Sequence, residues 1–328
     1  MNKRNIIVIG SSAGGVHALQ EIVAMLPADF AASIFIVQHV AAHAPSILPH
    51  ILTLRGNLKA VHPADEEEIR PGYIYVAPPN LHLLIEDNRM LVKKGPKENR
   101  FRPSIDALFR SAAYSHGPRV IGVVLTGLLD DGTAGMWSVK RQGGIGIVQR
   151  PDEAKYPAMP QSVLEYVEVD YIRPLSDIAA LLVSLVGEPV TEPAPLQPSE
   201  QERMKIEVAT AAQSNAFEKG ILHLGEHSML TCPECNGALV KIQEGTIERY
   251  RCHTGHSFMP PTLLGGIYES VENNLWQALQ NLEEIIILCE QQVSTSERNG
   301  DQAAAADFRA KAEDAQRRAQ ELRKLIMD

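Results

Sequence analysis

Ile6-Ile7-Val8-Ile9-Gly10-Ser11-Ser12-Ala13-Gly14-Gly15 is an apolar run that breaks into two serines and two glycines, and a helix-like segment follows it. Three readings of the break compete. A dinucleotide loop needs glycine at its second motif position so that backbone can approach a pyrophosphate, and Ser12 stands there instead. A nucleophile elbow, Gly-x-Ser-x-Gly, is matched letter for letter by Gly10–Gly14. That elbow, however, comes after several strands, and here only four residues precede the first. The third reading is a plain strand-to-helix turn with serine and glycine as its cap. Taken alone, the stretch favours the third.

Working outward, short apolar runs and amphipathic stretches alternate as far as residue 186. Strands are expected at Asn5–Ile9, Ser33–Gln38, Tyr73–Ala77, Leu83–Glu86, Met90–Lys93, Val120–Thr126, Gly144–Gln149 and Tyr171–Ile172. Helices are expected at His17–Met25, Ile105–His116, Thr133–Gln142 and Leu175–Val186. This alternation predicts an α/β fold, a doubly wound and mostly parallel sheet covered on both faces. Tyr73–Lys93 has only short turns between its runs and reads as an antiparallel meander added to that sheet.

In an open parallel sheet, ligands bind beyond the carboxyl ends of the strands. Three polar residues fall at that edge: Ser12, His39 after Ile34–Gln38, and Asp131 after Val120–Leu125. A serine hydroxyl becomes a useful nucleophile when an imidazole takes its proton, and a carboxylate fixes the imidazole tautomer. Backbone N–H groups after Ser12, beginning with Ala13, would face a developing oxyanion, and Gly14 would leave room for substrate. Ser11 reads as a packing or capping neighbour, and Asp130 as the natural alternative to Asp131.

Four motifs in order carry a resemblance: Gly10-Ser11-Ser12-Ala13-Gly14-Gly15, Gln38-His39, Arg102-Pro103-Ser104-Ile105-Asp106, and Leu125-Thr126-Gly127 with Asp131-Gly132-Thr133-Ala134-Gly135-Met136. Residues 5 to about 186 resemble the catalytic domain of the chemotaxis protein-glutamate methylesterases, the CheB type. The resemblance implies the methylesterase fold, with Ser12 as nucleophile, His39 as general base and acid, and Asp131 as orienting carboxylate. It implies hydrolysis of γ-glutamyl methyl esters on chemoreceptors or related signalling proteins, and deamidation of receptor glutamines as a second activity. Ala13, Gly14, Leu128 and Arg102 form the oxyanion and substrate loops; for Arg102 a loop salt bridge is an equal alternative. Many members carry threonine after the nucleophile, where this chain has Ala13. Many also carry a receiver domain ahead of the catalytic one, and control by phosphorylation in cis is not expected here.

Past residue 186, Pro189, Pro193, Pro195 and Pro198 sit among small and acidic residues, which predicts an extended linker. Cys232-Pro233-Glu234-Cys235 and Cys252-His253-Thr254-Gly255-His256 then supply two metal-binding knuckles. Cys232, Cys235, Cys252 and His256 make a Cys₃His set suited to structural zinc, with His253 as the rival fourth ligand. The intervening Leu239–Tyr250 alternates like a hairpin. Cys289 reads as a small buried residue. Ile267, Val271, Leu275, Leu279, Leu282 and Ile286 recur at helical spacing, and Gln302–Met327 reads as a return helix. The expected division is 1–190 catalytic domain, 191–225 linker and connecting segment, 226–262 zinc knuckle and 263–328 helical hairpin.

Composition narrows the function further. The 328 residues are 45% hydrophobic and 22% charged, which is ordinary for a globular chain with a real core. A net charge of −9, with Glu234, Glu244 and Glu248 around the knuckles, argues against nucleic acid as partner. No apolar run nears the ~18 residues of a membrane span, so no membrane insertion is expected. The four cysteines do not make a disulfide framework, and a cytoplasmic protein is expected. No cofactor is expected for catalysis. A methylated signalling protein is the expected substrate, and a further partner is expected at the tail. The competing readings are a non-catalytic adaptor that binds through that tail, and a generic carboxylesterase.

Overall fold

The first strand is buried along its whole length because both faces of its sheet are covered, which is why it reads as a continuous apolar run. Ile6 and Val8 enter one core cluster, while Ile7 and Ile9 enter the other, as the two-residue period of a strand requires. The computed structural model describes residues 3–191, 196–213 and 215–327. Its elements in chain order are β1 (Ile6–Ser11), α1 (Gly15–Ala24), β2 (Ser33–Gln38), α2 (Leu48–Arg55), β3 (Lys59–Val61), β4 (Glu67–Glu68), β5 (Tyr73–Val76), β6 (His82–Glu86) and β7 (Arg89–Lys93). There follow α3 (Ile105–His116), β8 (Val120–Val124), α4 (Thr133–Arg141), β9 (Ile145–Gln149), α5 (Ala158–Tyr166), β10 (Tyr171–Arg173), α6 (Leu175–Leu185) and α7 (Pro198–Ala211). The last elements are β11 (Glu226–Thr231), β12 (Ala238–Glu244), β13 (Ile247–Cys252), β14 (Ser257–Phe258), α8 (Pro260–Arg298) and α9 (Gln302–Met327).

Seven strands form one parallel sheet in the order β10-β9-β8-β1-β2-β5-β3. The doubly wound sheet expected from the sequence is therefore present. One core layer packs α1, α2 and α6 through Leu19, Ile22, Leu52 and Leu182, and the opposite layer packs α3, α4 and α5 through Leu108, Phe109, Met136 and Val163. From β1 the chain moves to β2 on one side, and later elements run from β8 to β10 on the other. The strand order thus reverses between β1 and β8, the topological switch point where such sheets bind ligands.

Tyr73–Lys93 is not one meander. β5 joins the parallel sheet, while β6 and β7 form a hairpin that pairs with β4 in a separate three-stranded sheet. β5 is buried and pairs with β2 and β3, so tertiary pairing overrides its short connection to β6. The expected linker also needs correction. Pro198–Ala211 is a helix with Pro198 in its first turn and a Gln197–Glu200 capping box. Its Met204, Glu207 and Thr210 are buried. The prolines at 193 and 195 lie outside the described residues.

The chain divides into two compact units, Met1–Leu263 and Leu264–Asp328. The first unit includes the antiparallel sheet β11-β12-β13-β14. In the second, α9 buries Ala305, Ala312, Ala315 and Ala319, the spacing of a helical seam, and the rest of α8 buries Leu279 and Cys289. Glu297 and Glu283 of α8 pair with Arg309 and Arg323 of α9. Val271 stays exposed despite its place in the apolar period. No helix among the described residues is long and apolar enough to cross a membrane.

Candidate active site

β1, β2 and β8 end side by side, and the register pairs Ser11 with Gln38, so that Ser12 and His39 leave adjacent strands together. The Ser12 N–H donates to Thr126 O at 3.0 Å and the His39 N–H to Ser11 O at 3.0 Å. Gln38 locks both turns: its Nε2 donates to Ser12 O at 2.8 Å and to His39 O at 2.9 Å, and its Oε1 accepts from Ser11 Oγ at 2.8 Å. Ser11 is fully buried with its hydroxyl engaged, whereas Ser12 is partly exposed. This separates the two serines that sequence placed next to each other.

Two glycines make the turn possible. A Cβ on Gly15 would lie 2.2 Å from Gln38 Oε1, so only glycine lets that amide reach both turns. Gly14 caps α1 at φ 77°, the left-handed region that glycine enters without strain. The Ala13 N–H donates to no protein atom among the described residues and lies at the amino end of α1, while Ala13 O is held by Thr126 Oγ1 at 3.0 Å.

His39 Nε2 bonds Asp131 Oδ2 at 2.8 Å, and both side chains are almost fully buried. An ionised carboxylate only accepts, so Nε2 carries the proton and Nδ1 carries the lone pair. Nδ1 is buried and has no partner among the described residues. Phe101 stacks on the imidazole with centroids 3.7 Å apart and planes within 7°.

Asp131 sits at the amino end of α3. Its Oδ2 also accepts from Ile105 N at 2.7 Å, and its Oδ1 accepts from Ser104 Oγ at 2.9 Å, Asn99 Nδ2 at 3.1 Å and Asp106 N at 3.2 Å. Burial disfavours the charged form, but the bonds from His39, Ile105 and Asn99 outweigh it and hold Asp131 below the usual carboxylate range. His82 steadies the same helix end: Ser104 N donates to its Nδ1 at 3.2 Å, and its Nε2 donates to Pro96 O at 2.8 Å. Asp106 accepts from Gly132 and Gly135 at the start of α4, and burial and the Asp131 charge push its carboxyl up. Asp130 bonds Thr262 instead of the imidazole, with its other oxygen unpartnered. Burial, reinforced by Asp131, pushes Asp130 up to about 6 against the Thr262 bond.

Among the other expected loop residues, Leu128 is exposed beside Leu129 on the β8–α4 loop. Arg102 is differently engaged. Its Nε and NH2 donate to Asn80 Oδ1 and its NH1 to Gly95 O at 2.6 Å, so its hydrogen bonds hold a loop. Sequence reasoning gave Gln38 no role beyond the Gln38-His39 motif, and it missed Asn99, Phe101 and Thr262 as contributors. Asn99 and Phe101 stand immediately before the Arg102–Asp106 motif, which was the available signal.

Cys232, Cys235, Cys252 and His256 converge, with their ligand atoms all within 4.8 Å of one another. Edges of 3.6 Å (Cys232 Sγ–His256 Nδ1), 3.7 Å (Cys235 Sγ–Cys252 Sγ) and 3.6 Å (Cys252 Sγ–His256 Nδ1) approach the ~3.7 Å edge of a tetrahedron with zinc–sulfur bonds of ~2.3 Å. His253 lies outside this group, against Gly237.

The family model described as CheB methylesterase matches residues 7–182. A Leptospira interrogans protein named "Putative protein-glutamate methylesterase/protein-glutamine glutaminase" is 43% identical over 180 residues, 55% of this chain and 93% of that protein. A Thermotoga maritima protein named protein-glutamate methylesterase/protein-glutamine glutaminase is 35% identical over 185 residues, and the match spans 54% of its length. The crystal structure of the Thermotoga maritima CheB methylesterase catalytic domain aligns with a TM-score of 0.54 and 34% identity, covering 57% of this chain and all of that one. With the fold, the strand-end motifs and these likenesses in agreement, the chain belongs to the CheB methylesterase family.

Proposed function

We propose that this chain is a protein-glutamate methylesterase in which Ser12, His39 and Asp131 do the chemistry. The observation that carries the assignment is the buried His39 ring, with Nε2 bonded to Asp131 and Nδ1 unpartnered among the described residues, on the strand end paired with the one that Ser12 leaves. His39 Nδ1 takes the hydroxyl proton as Ser12 Oγ adds to the γ-carbonyl carbon of a glutamyl methyl ester. The carbonyl oxygen gains negative charge and is met by the Ala13 N–H at the positive end of α1. Collapse expels methoxide, which leaves as methanol with the proton from His39. Water then adds to the acyl-serine, again giving its proton to Nδ1, and glutamate departs as Ser12 is restored. A glutamine side chain follows the same route with ammonia leaving.

Leu128 and Leu129 offer exposed apolar contact beside this edge for a methylated receptor segment. In the Cys₃His group, Cys232, Cys235, Cys252 and His256 would hold zinc, which would act as a structural cross-link between the two knuckles. No step of the hydrolysis is routed through it. The test of the esterase reading is methanol release from a methylated receptor. Ser12→Ala abolishes it, and Ser11→Ala, which removes only a bond to Gln38, keeps a measurable rate. The reverse pattern refutes the assignment.

A further inference from the structure

Asp131 is placed by its donors, and one of them is itself placed from far along the chain. Asn99 has φ 48°, a left-handed conformation that asparagine tolerates. Its N–H donates to Ser257 O at 2.7 Å, and its Oδ1 accepts from the Met259 N–H at 3.1 Å. Its Nδ2 then donates to Asp106 Oδ2 at 2.8 Å and to Asp131 Oδ1 at 3.1 Å. An amide has a donor end and an acceptor end. A backbone N–H can only donate, so Met259 selects Oδ1 and turns the NH₂ toward the two carboxylates. The opposite flip would set Oδ1 against the ionised Asp131 and the NH₂ against the Met259 N–H.

The same segment reaches the other side of Asp131. Thr262, buried in the first turn of α8, donates its hydroxyl to Asp130 Oδ1. Ser257–Thr262 therefore grips Asn99 on one side and Asp130 on the other. Its own position is fixed by Ser257 N donating to Lys97 O at 3.3 Å, and by a buried charge network just upstream. In that network Arg251 pairs with Glu98 and Glu207 at 3.0 Å each. Arg110 pairs with Glu98 at 3.0 Å, and Arg249 pairs with Glu207 and Glu244. Four guanidinium groups, counting Arg203 against Glu244 at 2.9 Å, face the three buried carboxylates, so the end of β13 that leads into the strap cannot move without leaving buried charge unpaired.

We propose that the strap Ser257–Thr262, which lies beyond residues 7–182 matched by the family model, is a positioning element of the esterase site, with Met259 acting through Asn99 and Thr262 acting through Asp130. This rests on the Ser12–His39–Asp131 reading. The acid–base pair of the family domain is completed here by a segment that follows the Cys/His ribbon. None of these strap residues touches the substrate; they set the carboxylate that orients the base.

The test uses the full chain with Thr262→Val, which keeps the shape and removes the hydroxyl, and Thr262→Ser, which keeps the hydroxyl. Two quantities are read: kcat and KM for methanol release from a methylated receptor, and the downfield proton resonance of the His39 Nε2–H bonded to Asp131. The valine variant lowers kcat roughly tenfold, the order of one charged hydrogen bond. KM stays within about twofold of the parent, the resonance shifts, and serine restores both. Thr262→Cys, with a weaker donor of similar size, gives an intermediate kcat and serves if the valine variant does not unfold cooperatively. Parental kcat with an unmoved resonance in the valine variant overturns the proposal, as does equal loss in the valine and serine variants. A parent chain that releases no methanol refutes the esterase reading separately, and the resonance still decides the role of the strap.

Discussion

Asp131→Asn tests the site most sharply, because every neighbour of that carboxylate is a donor. Oδ2 accepts from His39 Nε2 and Ile105 N, and Oδ1 accepts from Asn99, Ser104 and Asp106. An asparagine side chain keeps one accepting oxygen. If its NH₂ faces His39, the imidazole must present an acceptor at Nε2 and carry its proton on Nδ1, and the atom that should receive the Ser12 proton is blocked. Ile105 N–H is stranded as well. If the NH₂ faces α3, Asn99 and Asp106 N–H are stranded, and Ser104 alone can turn its hydroxyl to accept. Each stranded buried donor costs about 1–3 kcal/mol, so stability falls by ~1–3 kcal/mol in the first orientation and ~2–6 kcal/mol in the second. Catalysis falls further: the wrong tautomer costs on the order of 10⁴ in kcat, or ~5 kcal/mol of barrier. Methanol release measures the rate, and urea unfolding followed by circular dichroism measures the stability. Asp130→Asn is the comparison, because it keeps the oxygen that accepts from Thr262 and has no bond to His39 to lose. If Asp131→Asn retains turnover within tenfold while Asp130→Asn loses it, the carboxylate has been misassigned.

Two further outcomes follow from the ribbon. Purified protein carries about one zinc per chain by elemental analysis, lost in Cys252→Ser and His256→Ala and kept in His253→Ala, since a structural site takes four ligands; zinc retained in His256→Ala would refute the ligand set. In the charge network, burial acts to raise Glu98, but Arg110 and Arg251 overcome it and hold its carboxyl at about 2, against 4.5 when free. That lowered value contributes stability which is full above about pH 4.5 and is lost as pH falls toward about 2. Arg251→Met removes one counter-charge, costs about 3–5 kcal/mol, and moves the acid-unfolding midpoint to higher pH. An unchanged acid limb in urea titrations between pH 2 and 6 would show that the network does not hold the ribbon.

Local pattern was enough for the parts of this protein whose physics is local. β2 and α3 begin and end where the sequence placed them, because a strand covered on both faces shows as an unbroken apolar run and a helix shows its 3.6-residue period. Strand ends locate the edge of a parallel sheet, so Ser12, His39 and Asp131 could be named before any coordinates, and the spacing of Cys232, Cys235, Cys252 and His256 marked them as one group. α2, α5 and α7 and the short β3 and β4 were missed, since their stability comes from packing more than from their own composition; α2 and α7 barely show an apolar face. Ser11 and Ser12 differ by one position, as do Asp130 and Asp131, and only the turn geometry buries Ser11 against Gln38 and brings Asp131 rather than Asp130 to the imidazole. Buried charges are the limit of sequence reading. Glu98 and Arg251 are 153 residues apart, and each alone reads as a solvated surface residue. An ion's fate depends on whether its counter-charge is brought beside it as water leaves, and that depends on the assembled fold rather than on either residue's neighbours in the chain.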